Sequence, residues 1–135
     1  MKQEDKELLL RYLSMALPYG VVIKITLDGG MLDASYNMKW DADLLADLIH
    51  TEDDFQPYLR PMSSMTEEEL EELNCLCYHN ISVQDDMLCG YICGIEITDV
   101  QNFLLRYHFD FMGLIPKGFA IEVTEENNPY NMKEE

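Results

Sequence analysis

Val21-Val22-Ile23-Lys24-Ile25-Thr26-Leu27-Asp28-Gly29-Gly30-Met31-Leu32 is the stretch that decides the fold class. Residues 21–27 are rich in β-branched side chains and partly alternating, which suits a pleated strand. Asp28-Gly29-Gly30 then reads as a turn, because glycine reaches positive φ without steric cost. Beyond it Leu32, Ala34, Tyr36 and Met38 alternate with Asp33, Ser35 and Asn37. Residues 31–40 therefore predict a second strand, and the two form an antiparallel hairpin.

Helical patterns lie on both sides of that hairpin. Upstream, Leu9, Leu10, Leu13, Ala16 and Leu17 recur at helical spacing, and Pro18 and Gly20 close the pattern, so a helix is predicted over Gln3–Ala16. Downstream, residues 41–50 fit a helix through Leu44, Leu45 and Leu48, with a short strand as the alternative. Residues 55–65, punctuated by Pro57 and Pro61, read as an irregular, stiff link. Thr66 followed by Glu69 has the capping-box pattern, and Leu70, Leu73 and Cys77 give an apolar face, which predicts a helix running to about residue 79.

Asp85-Asp86 reads as a turn before a β segment at about 87–97. Thr98 with Gln101 is a second capping-box candidate, opening a helix that carries Val100, Phe103, Leu104 and Tyr107. His108 at its end would favour the negative helix terminus as a cation. A last strand is predicted at 119–123. A chain of 135 residues fits one domain. The expectation is a single α+β domain over residues 1–123, with two or three helices on a small, mainly antiparallel sheet, and a flexible polar tail at 124–135.

Twenty-six acids against nine bases leave a net charge of −17. A field of that sign repels phosphates and anionic lipid surfaces, so neither direct nucleic-acid binding nor membrane association is expected. The start of the chain is charged with mixed sign, and Leu8-Leu9-Leu10 is broken by Arg11. No secretory or transmembrane segment is expected, and the location implied is cytoplasmic. Thiols stay reduced there, so Cys75, Cys77, Cys89 and Cys93 read as core thiols rather than disulfides. With His79 they could supply a tetrahedral zinc site, but the spacing departs from the usual knuckles, and no metal ligand is assigned.

The sequence has no phosphate loop, no dinucleotide fingerprint and no nucleophile elbow, so no catalytic residue and no cofactor is assigned. The candidate protein-contact residues are Tyr58, Leu59, Arg60 and Met62, since Tyr, Arg and Met are enriched at interfaces. The competing arrangement has Tyr58 and Leu59 covering the core while Arg60 pairs with a nearby acid.

Three segments together carry a resemblance: Leu17-Pro18-Tyr19-Gly20-Val21, the run from Pro57 to Glu69, and His108-Phe109-Asp110 with Gly113-Leu114-Ile115 and Lys117-Gly118. In these the chain resembles a group of small uncharacterised proteins of gut Bacteroides and relatives, often carried by phages and mobile elements. The resemblance implies a bacterial, accessory context and transfers no activity. The function expected is a non-enzymatic accessory protein that binds another protein or itself. The alternatives are an acidic inhibitor that imitates DNA to block a nucleic-acid-binding host protein, and a small metal-binding or hydrolytic domain.

Overall fold

The computed structural model describes residues 3–27, 32–37, 42–50, 54–77 and 80–131. In chain order the elements are α1 (Gln3–Ala16), β1 (Val22–Leu27), β2 (Leu32–Asn37), α2 (Ala42–His50), β3 (Asp54–Leu59), α3 (Glu67–Cys75), β4 (Ser82–Gln84), β5 (Met87–Cys89), α4 (Ile97–Arg106) and β6 (Ile121–Glu122). The expected α+β class holds. Four α-helices occur among the described residues, because 42–50 is helical. The glycine turn at 28–30 lies outside the described residues, but its hairpin is plain in the antiparallel register Leu27↔Leu32 to Val22↔Asn37.

The main sheet has the order β2-β1-β3-β6, with β3 antiparallel to β1 and parallel to β6. Here the sequence reading is corrected, since residues 54–59 form an inner strand rather than an irregular link. Phe55, Pro57 and Leu59 are buried while Gln56 and Tyr58 are half-buried, the alternation of a strand with one face on the core. Pro57 is tolerated because of where its nitrogen faces. The Leu59 carbonyl accepts from Val123 N–H at 2.8 Å, so Leu59 faces β6, and Pro57, two residues back, faces the same side. Pairing with β6 begins only at Tyr58, so the missing N–H forfeits no ladder bond.

Two apolar clusters form among the described residues. In the first, Leu9, Tyr12, Leu13 and Ala16 of α1 pack on Ile23, Ile25, Phe55 and Leu59 of the sheet. In the second, Met62, Leu73, Ile81, Val100, Phe103, Leu104 and Phe109 gather around α3 and α4. Helix α4 joins the two, because Leu104 lies in one cluster and Leu105 in the other.

Helix α3 begins as expected, with Thr66 Oγ1 accepting from Glu69 N–H at 3.1 Å and the Glu69 carboxylate accepting from Thr66 N–H at 2.9 Å. It stops at Cys75, earlier than predicted. Asn74 there turns its amide to the returning chain, accepting from Ile81 N–H at 2.6 Å and donating to the Ile81 carbonyl at 3.2 Å. The expected β segment at 87–97 shortens to β5, followed by an irregular stretch and a 3-10 turn at Gly94–Glu96. Glu96, not Thr98, precedes the first residue of α4, and its carboxylate accepts from Cys93 N–H at 3.1 Å. The last strand is likewise shorter than predicted, Ile121–Glu122 alone.

Candidate functional site

Strand β3 leaves the first cluster at Leu59, and the chain enters the second at Met62. Arg60 between them is fixed by its backbone and its side chain together. Its N–H donates to the His108 carbonyl at 2.8 Å, and its own carbonyl accepts from Asp110 N–H at 2.9 Å. Its guanidinium lies 4.3 Å from the centre of the Phe109 ring and bonds Ser64 and both oxygens of Glu69. The chain leaving the sheet is therefore pinned to the His108-Phe109-Asp110 segment.

Asp110 continues the framework. Its two carboxylate oxygens accept from Leu114 N–H and Ile115 N–H, each at 2.8 Å, which shapes residues 110–116 into a fixed wall. The opposite wall is the β4–β5 hairpin. Asp85 and Asp86 form its two-residue turn at φ 53° and 62°, the left-handed pair that matches strand twist. Asp86 accepts from Ser63 N–H at 3.0 Å and so ties the hairpin to the 3-10 turn Met62–Ser64.

Between the walls lies a groove of about 570 Å³. Its apolar lining includes Met62, Met87, Leu88, Phe111 and Ile115, and carboxylates are supplied by Asp85, Asp86, Asp110 and Glu122. Among the described residues no lysine, arginine or histidine lines it. Asp110 is spent on its own loop, and Asp86 uses one oxygen on Ser63. Asp85 and Glu122 are exposed and have no side-chain partner among the described residues. The groove can therefore take apolar groups inside and a cation at its edge, and it disfavours anions.

Against known families, characterised proteins and solved structures, the chain has no match.

Of the four contact candidates, Met62 alone lines the groove, and it is 3% exposed. Leu59 is fully buried in the first cluster, and Arg60 is paired with Glu69, as the competing arrangement had it. Tyr58 is half-buried in β3, and its carbonyl accepts from the Tyr130 hydroxyl at 2.6 Å. Sequence reasoning assigned no role to Met87, Leu88, Ile115 or Glu122. The available signals were the Asp85-Asp86 turn and the 108–118 motif, which mark the two walls separately.

None of the four thiols is fully buried, contrary to expectation, although Cys77 packs against the second cluster. Cys75 is exposed, and Cys77, Cys89 and Cys93 are half-buried. Burial, with Glu96 and Cys93 nearby, raises the Cys77 thiol above its usual range. Among the described residues no group of three or more His, Cys, Asp or Glu is placed to hold a metal ion, and His79 lies outside them. His108 also departs from its expected role. Burial and the neighbouring Arg60 cation lower it to about 4, so it is neutral at pH 7 and supplies no charge to the end of α4. Among the described residues no helix is long and apolar enough to cross a membrane.

Proposed function

We propose that this protein is a cytoplasmic accessory protein that acts by binding another protein, not by catalysis. The observation that carries this reading is the groove between the β4–β5 hairpin and the 110–116 wall. It is apolar inside, held open by backbone hydrogen bonds to Asp86 and Asp110, and of a size typical of ligand sites, ~300–1,000 Å³. Apolar side chains are exposed outside it as well. Of the six exposed large apolar residues among those described, Met87, Tyr91, Ile95 and Ile97 fall within one short stretch of chain. Such exposure is unfavourable unless something covers it.

The net charge of −17 favours a second reading, an inhibitor that occupies the nucleic-acid site of a host protein. One experiment separates the two. Tagged wild-type protein and the variant Met87→Ser/Tyr91→Ser are used to retain proteins from a Bacteroides lysate at moderate and at high salt. Both replaced side chains are 63% exposed, so the fold should tolerate the change. A protein retained through high salt by the wild type and lost by the variant supports apolar docking. An identical retained set for both sinks it. Nucleases, polymerases or repressors held by both and released by salt would establish the second reading.

A further inference from the structure

We propose that the groove binds a partner segment in which a lysine or arginine stands beside large apolar side chains. This rests on the protein-binding reading above and names the chemistry of the occupant. The apolar side chains enter between Leu88 on the hairpin and Phe111 and Ile115 on the opposite wall, over Met62. The cation meets Asp85 and Glu122.

Four observations converge on that occupant. First, the two carboxylates are exposed and have no partner among the described residues, whereas Asp86 and Asp110 spend theirs on Ser63, Leu114 and Ile115. Unspent acids at the mouth of an apolar cleft favour a charge-assisted bond to an incoming cation. Second, among the described residues no basic side chain lines the groove to neutralise them from within. Third, the surrounding chain carries −17, which repels a phosphate, an anionic lipid or a second copy of the same molecule and draws in a basic segment. Fourth, Met87 on the groove wall is 63% exposed, and Tyr91, Ile95 and Ile97 further along the chain are exposed too. Of these, Met87 alone lines the cavity, so apolar side chains are offered outside it as well, which suits a length of polypeptide better than a small cation.

The test uses three synthetic peptides with leucines at fixed positions and arginine, glutamine or glutamate between them, titrated into the full ¹⁵N-labelled chain at about physiological salt. The arginine peptide should shift the amides of Leu88, Gly113 and Ile115 saturably. Asp85→Asn/Glu122→Gln should weaken it by roughly tenfold or more, in line with losing a pair of charge-assisted contacts. Asparagine at 85 keeps the left-handed turn, so the hairpin remains.

Equal binding of the glutamine peptide, or an unchanged affinity in the neutralised variant, overturns the proposal. So does a shift confined to α3, which would place the cation on another acidic face. Shifts of the same amides with protein concentration alone would put a second copy in the groove and overturn it as well. Should the arginine peptide fail while lysate capture still depends on Met87 and Tyr91, the basic-segment inference falls and the protein-binding reading stands.

Discussion

Arg60 and Glu69 meet in a two-pronged ion pair, Nη1 to Oε2 at 2.9 Å and Nη2 to Oε1 at 2.8 Å. The same Glu69 carboxylate accepts from Thr66 N–H and so closes the capping box of α3. One side chain thus starts a helix and anchors the chain that has just left the sheet. Both partners are largely withdrawn from water, with side chains 19% and 16% exposed, and Arg60 lies against Phe109 besides. A pair so placed is worth more than the usual surface salt bridge.

Glu69→Gln should therefore lower stability by about 2 kcal/mol even though glutamine can still close the capping box, because Arg60 keeps its charge and loses its partner. Arg60→Lys should cost a similar amount, since an ammonium cannot reproduce two parallel bonds or the stacking on Phe109. The check is a double-mutant cycle by urea denaturation. Additive losses would mean the two side chains are not coupled.

Gly90 sits at φ +138°, and a Cβ there would lie 2.7 Å from the Asn80 carbonyl oxygen and 2.9 Å from Ile81 Cδ1. Ile81 belongs to the second cluster and has little room to yield. Gly90→Ala is expected to cost about 1–3 kcal/mol. Gly94→Ala, whose Cβ meets nothing within 4 Å, serves as the control and should stay within about 0.5 kcal/mol of the parent. Equal denaturation midpoints for the two variants would contradict the close approach at Gly90.

His108 makes stability fall in acid. Its folded value, about 4, lies below its ordinary 6.5. Between those values the unfolded chain binds a proton that the folded chain refuses. The contribution is thus complete above pH 6.5 and is lost as pH falls toward 4, by ~3 kcal/mol in all. Glu69 acts in the same direction. Burial would raise its carboxyl, but the bonds from Arg60 and Thr66 outweigh that and lower it, so its stabilisation is also lost on acidification. His108 has φ +66°, which asparagine tolerates, so His108→Asn is the test. The unfolding free energy of the variant should change less between pH 7 and pH 4.5 than that of the wild type. Parallel profiles would show that His108 does not carry the loss.

What was legible in the sequence was local. The periodicity of α1, the hairpin around the glycine turn and the Thr66–Glu69 cap each depend on residues a few positions apart, and each was read correctly where the structure describes it. Strand β3 was missed because Pro57 within it and Pro61 just beyond it signal a break, while its reason for being a strand lies in β1 and β6, far off in sequence. The start of α4 was misplaced because Thr98 and Gln101 imitate a capping box that Cys93 and Glu96 pre-empt one turn earlier. The groove was invisible for the same cause, since Met62, Leu88, Ile115 and Glu122 converge only through tertiary packing.

Tyr12 is fully buried, and its hydroxyl has no hydrogen-bond partner among the described residues. Burial and the nearby Tyr130 and Asp110 raise its pKa well above the ordinary value, so it stays neutral. An unsatisfied buried hydroxyl costs free energy that the phenyl ring does not. Tyr12→Phe keeps the ring packing near Phe111 and should leave stability unchanged or raise it by up to about 1 kcal/mol. A loss of more than that in thermal or urea unfolding would reveal a bond made by the hydroxyl.

Tyr130 makes the longest-range hydrogen bond among the described residues. Extending the register of β1 and β3 beyond Ile23↔Pro57 would pair Val22 with Tyr58. Instead the Tyr130 hydroxyl stands between them, accepting from Val22 N–H at 3.0 Å and donating to the Tyr58 carbonyl at 2.6 Å. Its ring stacks on His108 at 3.8 Å between centroids, so the residue joins both strands to the segment that leads into one wall of the groove. Tyr130→Phe keeps the stack and removes the bridge, leaving two backbone groups without their partner. The expected loss is about 1–3 kcal/mol, with faster hydrogen exchange at the Val22 amide. The alternative is that the strands close and form the direct ladder bond. In that case the Val22 amide would remain as protected as in the parent and stability would not change, and the hydroxyl would be shown to substitute for a bond the sheet can make unaided.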